Sequence, residues 1–211
     1  MIDLISDTVT RPTPGMLEAM LRAEVGDDVF GEDPTVNTLE EKAADLFGME
    51  SALFCASGTM TNQIAIKVHT QPGDEVICHQ LAHIYLYEGG GMMFNSGVSV
   101  RLVGSPDGLM NAADVEGGVA EPDNIHAART RLVAVENTSN RGGGTCFDFA
   151  EVEAIGEVAR RHRLGFHLDG ARLFNALAAT GQSARDYGAA FDSISICLSK
   201  GLGCPVGSLL L

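Results

Sequence analysis

The chain has 211 residues, enough for one domain or one and a fraction. Hydrophobic residues make up 45% and charged residues 20%, so enough apolar surface exists to build a core, and global disorder is excluded. Fourteen basic residues face 28 acidic ones, and the net charge of −14 opposes binding to nucleic acid or anionic membranes.

The start, Met1-Ile2-Asp3-Leu4-Ile5-Ser6-Asp7, lacks the basic-then-apolar pattern of a signal peptide, and no apolar run approaches the ~18 residues of a membrane span. Asp33-Pro34 predicts a helix start by the cap-then-proline rule, and Gly48 predicts its end after Phe47. Ala52–Cys55 reads as a short buried strand. A helix from Gly58 to His69 follows, with Ile64, Ala65 and Val68 expected to face inward. Pro72-Gly73 is a turn, Glu75–Cys78 a strand, and His83–Glu88 a helical stretch. Val98–Val103 reads as a strand, Asn111 as the cap of a helix through Val119, and Leu132–Val135 as a strand ending in Glu136-Asn137. Asp148 opens an amphipathic helix to Arg161. Leu164–Leu168 and Ser193–Leu198 are further strands, ending in Asp169 and in Ser199-Lys200. Short apolar strands alternating with helices predict an α/β fold with a mainly parallel sheet.

Several motifs fail on inspection. The five cysteines are odd in number and hold no C-x-x-C, so neither a disulfide framework nor a zinc knuckle is indicated. Cys55, Cys78 and Cys197 sit in apolar runs and read as core thiols, which fits a cytoplasmic protein. His79 and His83 have zinc-protease spacing, but Gln80 replaces the acid, so no metal is expected. The glycines after Lys200 lack dinucleotide-loop spacing, which excludes a Rossmann dehydrogenase. Asn137-Thr138-Ser139 is a formal sequon that should stay unmodified.

In parallel sheets ligands gather at the carboxyl ends of strands, and three such ends carry unusual residues. Ser57-Gly58-Thr59 opens a helix and suits a phosphate cradle, or simply a tight turn. Asp169 ends a buried strand and needs a cation or donor, which a pyridinium nitrogen or Arg172 can supply. Lys200 ends another; it is a solvated loop lysine or a desolvated amine fit for imine formation. Together they are the parts that hold pyridoxal 5′-phosphate.

The sequence resembles the low-specificity L-threonine aldolases, of the aspartate-aminotransferase-like class of pyridoxal phosphate enzymes. The resemblance rests on Ser6-Asp7-Thr8-Val9-Thr10, Gly26–Pro34, Ser57-Gly58-Thr59-Met60, His83, Asn124-Ile125-His126, Glu136-Asn137-Thr138, His167–Arg172 and Leu198-Ser199-Lys200-Gly201. It implies a three-layer α/β/α large domain, residues 15–211 after an N-terminal segment 1–14. It also implies a C-terminal small domain that is missing here, with Leu209-Leu210-Leu211 cut within a strand.

By the same resemblance, Lys200 would link to the cofactor aldehyde and Asp169 would pair with its ring nitrogen. Gly58 and Thr59 would bind the phosphate, and His83 would stack on the ring and assist proton transfer. His126 would lie near the substrate hydroxyl, and Ser6 and Arg172 would hold the substrate carboxylate. The site would be shared in a homodimer or homotetramer, with Phe30, Tyr85 and Tyr87 reaching a neighbour; Phe30 departs from the tyrosine expected there. The implied reaction is retro-aldol cleavage of threonine or allo-threonine to glycine and acetaldehyde. The alternatives are a β-eliminating lyase of the same fold and a catalytically incompetent fragment.

Overall fold

In the computed structural model, which describes residues 3–211, seven strands build one sheet. They are β1 (Leu53–Cys55), β2 (Asp74–His79), β3 (Ser99–Val103), β4 (Arg129–Glu136), β5 (Gly165–Gly170), β6 (Ser193–Cys197) and β7 (Ser208–Leu210). The spatial order is β1-β7-β6-β5-β4-β2-β3. Neighbouring strands are parallel except that β7 runs antiparallel to both β1 and β6. Strands β1, β6, β5, β4 and β2 therefore all point the same way and end at one edge. Met1 and Ile2, which open the stretch without a signal-peptide pattern, lie outside the described residues.

The helices are α1 (Pro14–Arg22), α2 (Pro34–Phe47), α3 (Gly58–His69), α4 (His83–Leu86), α5 (Gly91–Ser96), α6 (Ala112–Gly118), α7 (Phe149–His162), α8 (Leu173–Thr180) and α9 (Ala184–Ala190). Their starts follow the caps that the sequence announces. The Asp33 carboxylate accepts from Thr35 and Val36 N–H at the head of α2, Asp148 accepts from Ala150, and Asn111 and Asp114 close a reciprocal box on α6. Helix α4 is shorter than the reading of His83–Glu88, and the expected helix from Asp148 is α7.

Side-chain alternation along the strands divides the core in two. Ile77, Val133, Val135, Phe166 and Leu168 pack with α2, α6, α7, α8 and α9 on one face. Val76, Cys78, Leu132 and Ala134 pack on the other with Ile66 of α3 and Met92 of α5. The result is a three-layer α/β/α arrangement. All five cysteines are free, and Cys55, Cys78 and Cys197 are buried as expected. Burial lifts the Cys78 thiol to about 12, which leaves it inert. Among the described residues no helix is long and apolar enough to cross a membrane.

The inward face of α3 differs from its sequence reading. Ala65 is buried, but Val68 is 68% exposed, and the residues that turn inward include Thr61, Asn62 and Gln63. Apolar periodicity misplaces this face because the surface that α3 covers is itself polar. The register pairs His167 with Ser193 and Asp169 with Ser195, so all four side chains point to the same side. Thr61 bonds Ser195 at 2.6 Å, Asn62 bonds His167 and Asp169, and His69 bonds Ser193. This polar seam indexes the helix on the sheet, where apolar contact alone would tolerate sliding.

Candidate active site

The chemistry-bearing residues converge because parallel strands end together. Gly58 and Thr59 follow β1, His83 follows β2, Glu136 ends β4, Asp169 is the last residue but one of β5, and Lys200 follows β6. Residues up to 142 positions apart thus meet at one sheet edge by topology alone.

Asp169 is buried. Its Oδ2 accepts from Asn62 Nδ2 at 3.0 Å and its Oδ1 from Ala171 N at 3.2 Å. Burial, and next the Glu88 charge, push its carboxyl pKa up, against the pull of His83 and Lys200. Glu136 sits directly opposite Asp169 in the register of β4 and β5. It is buried too, and accepts from His83 N at 2.8 Å and Asn140 N at 3.0 Å. Burial first, and the adjacent Asp169 second, raise its carboxyl to about 7.

Glu88 is the third buried acid. It accepts from Asn62 Nδ2 at 2.9 Å, from Gln63 Nε2 at 2.6 Å and contacts His83 Nδ1 at 3.2 Å. That last bond is the main reason the His83 imidazole holds its proton more tightly than usual. His83, Glu88 and Asp169 each place one ligand-type atom within 4.8 Å of the others. Asn62 and Gln63 already occupy their acid oxygens, so the cluster reads as a hydrogen-bonded polar site.

At the head of α3 the Ser57 hydroxyl accepts from Met60 N. The N–H groups of Gly58 and Thr59 have no acceptor among the described residues, so the helix presents them outward. Lys200 is half-buried, and no acid among the described residues closes an ion pair with its ammonium. Its backbone carbonyl accepts from Thr10 Oγ1 at 2.6 Å.

The remaining expected residues are placed differently. Arg172 does not bond Asp169; its guanidinium forks onto Asp7, at 2.7 and 2.8 Å. The Ser6 hydroxyl accepts from Thr8 N and Thr8 Oγ1, capping a short turn over Asp7–Val9. His126 lies on an exposed turn, where its backbone N–H donates to Asn124 Oδ1. No hydrogen bond among the described residues ties its ring to the cluster. Sequence reasoning passed over Asp7, Asn62, Gln63 and Glu88. Asp7 lay in one of the matched runs, but its partner Arg172 is 165 positions away along the chain, and nothing in the sequence turned Asn62 and Gln63 inward.

Residues 3–211 match the family described as beta-eliminating lyase. The chain belongs to the beta-eliminating lyase family. It is 46% identical to low-specificity L-threonine aldolase 1 of Arabidopsis thaliana, with 100% of this chain and 60% of that protein covered. It is also 46% identical to the low specificity L-threonine aldolase of Escherichia coli (strain K12), covering 100% of this chain and 62% of that one. The solved threonine aldolase of Leishmania major superimposes with a TM-score of 0.87 at 28% identity, over 98% of this chain and 60% of that chain. The chain thus spans about 60% of the length of these relatives. The α/β class, the mainly parallel sheet and the family resemblance read from the sequence all stand.

Proposed function

We propose that the chain is the pyridoxal 5′-phosphate-binding large domain, residues 15–211 after a segment 1–14, of a carbon–carbon lyase. Its substrates would be β-hydroxy-α-amino acids, with threonine or allo-threonine yielding glycine and acetaldehyde. The observation that carries the reading is that, among the described residues, a helix N-terminus with free N–H groups, a buried carboxylate in no ion pair and a lysine in no ion pair lie at one sheet edge. Among the described residues each feature lacks a partner that one group of the cofactor would provide: a phosphate, a protonated ring nitrogen and an aldehyde.

Bound there, pyridoxal phosphate would supply an aldehyde that condenses with amines and a ring that takes up the electron pair of a breaking Cα–Cβ bond. Gly58 and Thr59 would hold the phosphate, helped by the positive end of α3. Asp169 would face the ring nitrogen and keep it protonated. Lys200 would provide the resident amine and yield its place to the substrate amine. His83, tied to Glu88 at Nδ1, would accept the proton of the substrate β-hydroxyl at its other nitrogen. His126 would join this step only after its turn closes over the site. Arg172 would serve a carboxylate only with the nitrogen that Asp7 leaves free.

Exposed apolar side chains support assembly as a dimer or tetramer. Leu4, Ile5, Phe30 and Phe94 are each at least 75% exposed, and Tyr85 and Tyr87 are partly so. Five free cysteines support a cytoplasmic location.

The test is borohydride reduction of the chain with pyridoxal phosphate, followed by peptide mass analysis. The cofactor mass should remain on Lys200, and a Lys200→Ala chain should carry none; attachment elsewhere or nowhere rejects the site. Product analysis separates the chemistries. Acetaldehyde and glycine from threonine support retro-aldol cleavage, ammonia and a keto acid support β-elimination, and no turnover marks a cofactor-binding part that is not itself active.

A further inference from the structure

A chain of hydrogen bonds runs behind Asp169, through side chains that the reaction itself does not use. Asn62 Nδ2 donates to Asp169 Oδ2 at 3.0 Å and to Glu88 Oε1 at 2.9 Å. Asn62 Oδ1 lies 3.1 Å from His167 Nε2. His167 Nδ1 lies 2.9 Å from Ser193 Oγ, which lies 2.9 Å from His69 Nε2. Asn62, Asp169 and Glu88 are buried, and His167 is fully so.

We propose that Asn62 and His167 are positioning residues for Asp169: His167 locks the Asn62 amide, and that amide orients Asp169 and favours its charged form. This inference rests on the cofactor reading for its purpose, since a charged Asp169 is what a protonated ring nitrogen needs.

The proton positions follow from donor and acceptor types. Two carboxylates face one end of the Asn62 amide, so that end is the nitrogen and both of its hydrogens are used. The other end is a carbonyl oxygen, which only accepts, so His167 Nε2 carries the hydrogen. His167 is neutral, because burial holds it down at about 3, with nearby His69 acting in the same direction. Its Nδ1 is then bare and accepts from the Ser193 hydroxyl. Ser193 Oγ in turn accepts from His69 Nε2. Every donor in the chain points toward the two acids. The titratable groups around His167 are His69 of α3 and, beyond Asn62, Asp169 on its own strand and Glu88.

The packing is shaped for this chain. A Cβ on Gly165 would sit 2.8 Å from His69 Nδ1, so the bare backbone there makes room for the imidazole against β5. Asn62 and His69 lie two helical turns apart on one face of α3, and His167 and Asp169 lie two residues apart on one face of β5.

The test uses nitrogen-15 and carbon-13 NMR of the chain without cofactor, then cofactor titration. His167 should show a hydrogen on Nε2, a bare Nδ1 and no titration from about pH 5 to 8, where an ordinary histidine changes charge. In Asn62→Leu the Asp169 carboxyl should titrate at higher pH than in the parent, because a donor to its charged form is gone. Asn62→Leu and His167→Leu should weaken pyridoxal phosphate binding by at least about tenfold, whereas His167→Gln, whose amide can still donate to Asn62, should stay within about threefold. A hydrogen on Nδ1, titration of His167 in that range, or an unmoved Asp169 overturns the proposal. A parent chain that binds no cofactor refutes the functional reading instead, and the NMR results still decide this one.

Discussion

Asp7 and Arg172, 165 residues apart, form a two-pronged ion pair in which Arg172 Nε donates to Asp7 Oδ2 at 2.7 Å and Nη2 to Oδ1 at 2.8 Å. Together with the Thr10–Lys200 hydrogen bond, it stitches the N-terminal segment to the loops after β5 and β6. Asp7→Asn should loosen that segment. Amides of residues 3–13 should exchange with solvent faster, and the chain should lose about 1–2 kcal/mol, the range for a partly buried bidentate pair. Arg172 holds the Asp7 carboxyl below its ordinary value. The stabilisation is therefore complete above the ordinary carboxylate pKa and is lost as pH falls through the lowered one. Unchanged exchange in the variant would show that the segment is held by other contacts.

Asp169 stands among Glu88 and Glu136, an arrangement that favours ligand binding over stability. Asp169→Asn keeps the Asn62 bond and removes a buried charge, at the cost of the 3.2 Å bond from Ala171 N. Without cofactor the variant should be as stable as the parent or about 1 kcal/mol more so. Its affinity for pyridoxal phosphate should fall at least about tenfold, because an amide cannot neutralise a ring cation. Thermal melts with and without cofactor check both; a less stable variant with parental affinity contradicts the assignment.

Glu136 gives the fold a pH dependence of calculable sign. Its carboxyl titrates near 7 in the folded chain against 4.5 ordinarily, so the folded state holds the extra proton between those values. The stability it contributes is complete below about 4.5 and declines as pH rises through about 7, with a slope approaching 1.4 kcal/mol per pH unit. Glu136→Gln should flatten this decline relative to the parent. Denaturant midpoints across that window measure it, and parallel curves for the two chains would remove Glu136 as the cause.

Asn137 belongs to a sequon, yet it is buried, and its Nδ2 donates to the Tyr187 hydroxyl at 2.9 Å. Tyr187→Phe keeps the ring between Phe149 and Phe191 but strands that donor. The expected loss is about 1–3 kcal/mol, the usual penalty for an unsatisfied buried polar group. A chemical denaturation curve checks it; a loss below about 0.5 kcal/mol would mean that Asn137 finds another partner.

What the sequence determined by itself was local or additive. Caps at Asp33, Asn111 and Asp148 announced helices because capping involves neighbours two or three residues away. Apolar runs announced the central strands, and the strand-end identities of Gly58, Asp169 and Lys200 marked the site's edge. The strand at Leu209–Leu211 followed from the family resemblance and is β7, whereas α1, α5, α8 and α9 went unread: they are short, and their Thr13-Pro14 and Ser183 caps and Gly97 and Gly181 stops flank no long apolar period. Tertiary structure alone decided which side chains meet. It paired Arg172 with Asp7 instead of Asp169, turned the polar face of α3 inward, and set Glu136 beside Asp169 and Glu88 within reach of His83. The reason is that hydrogen bonds and charges act over a few ångströms, and strand order, not distance along the chain, sets which groups come that close.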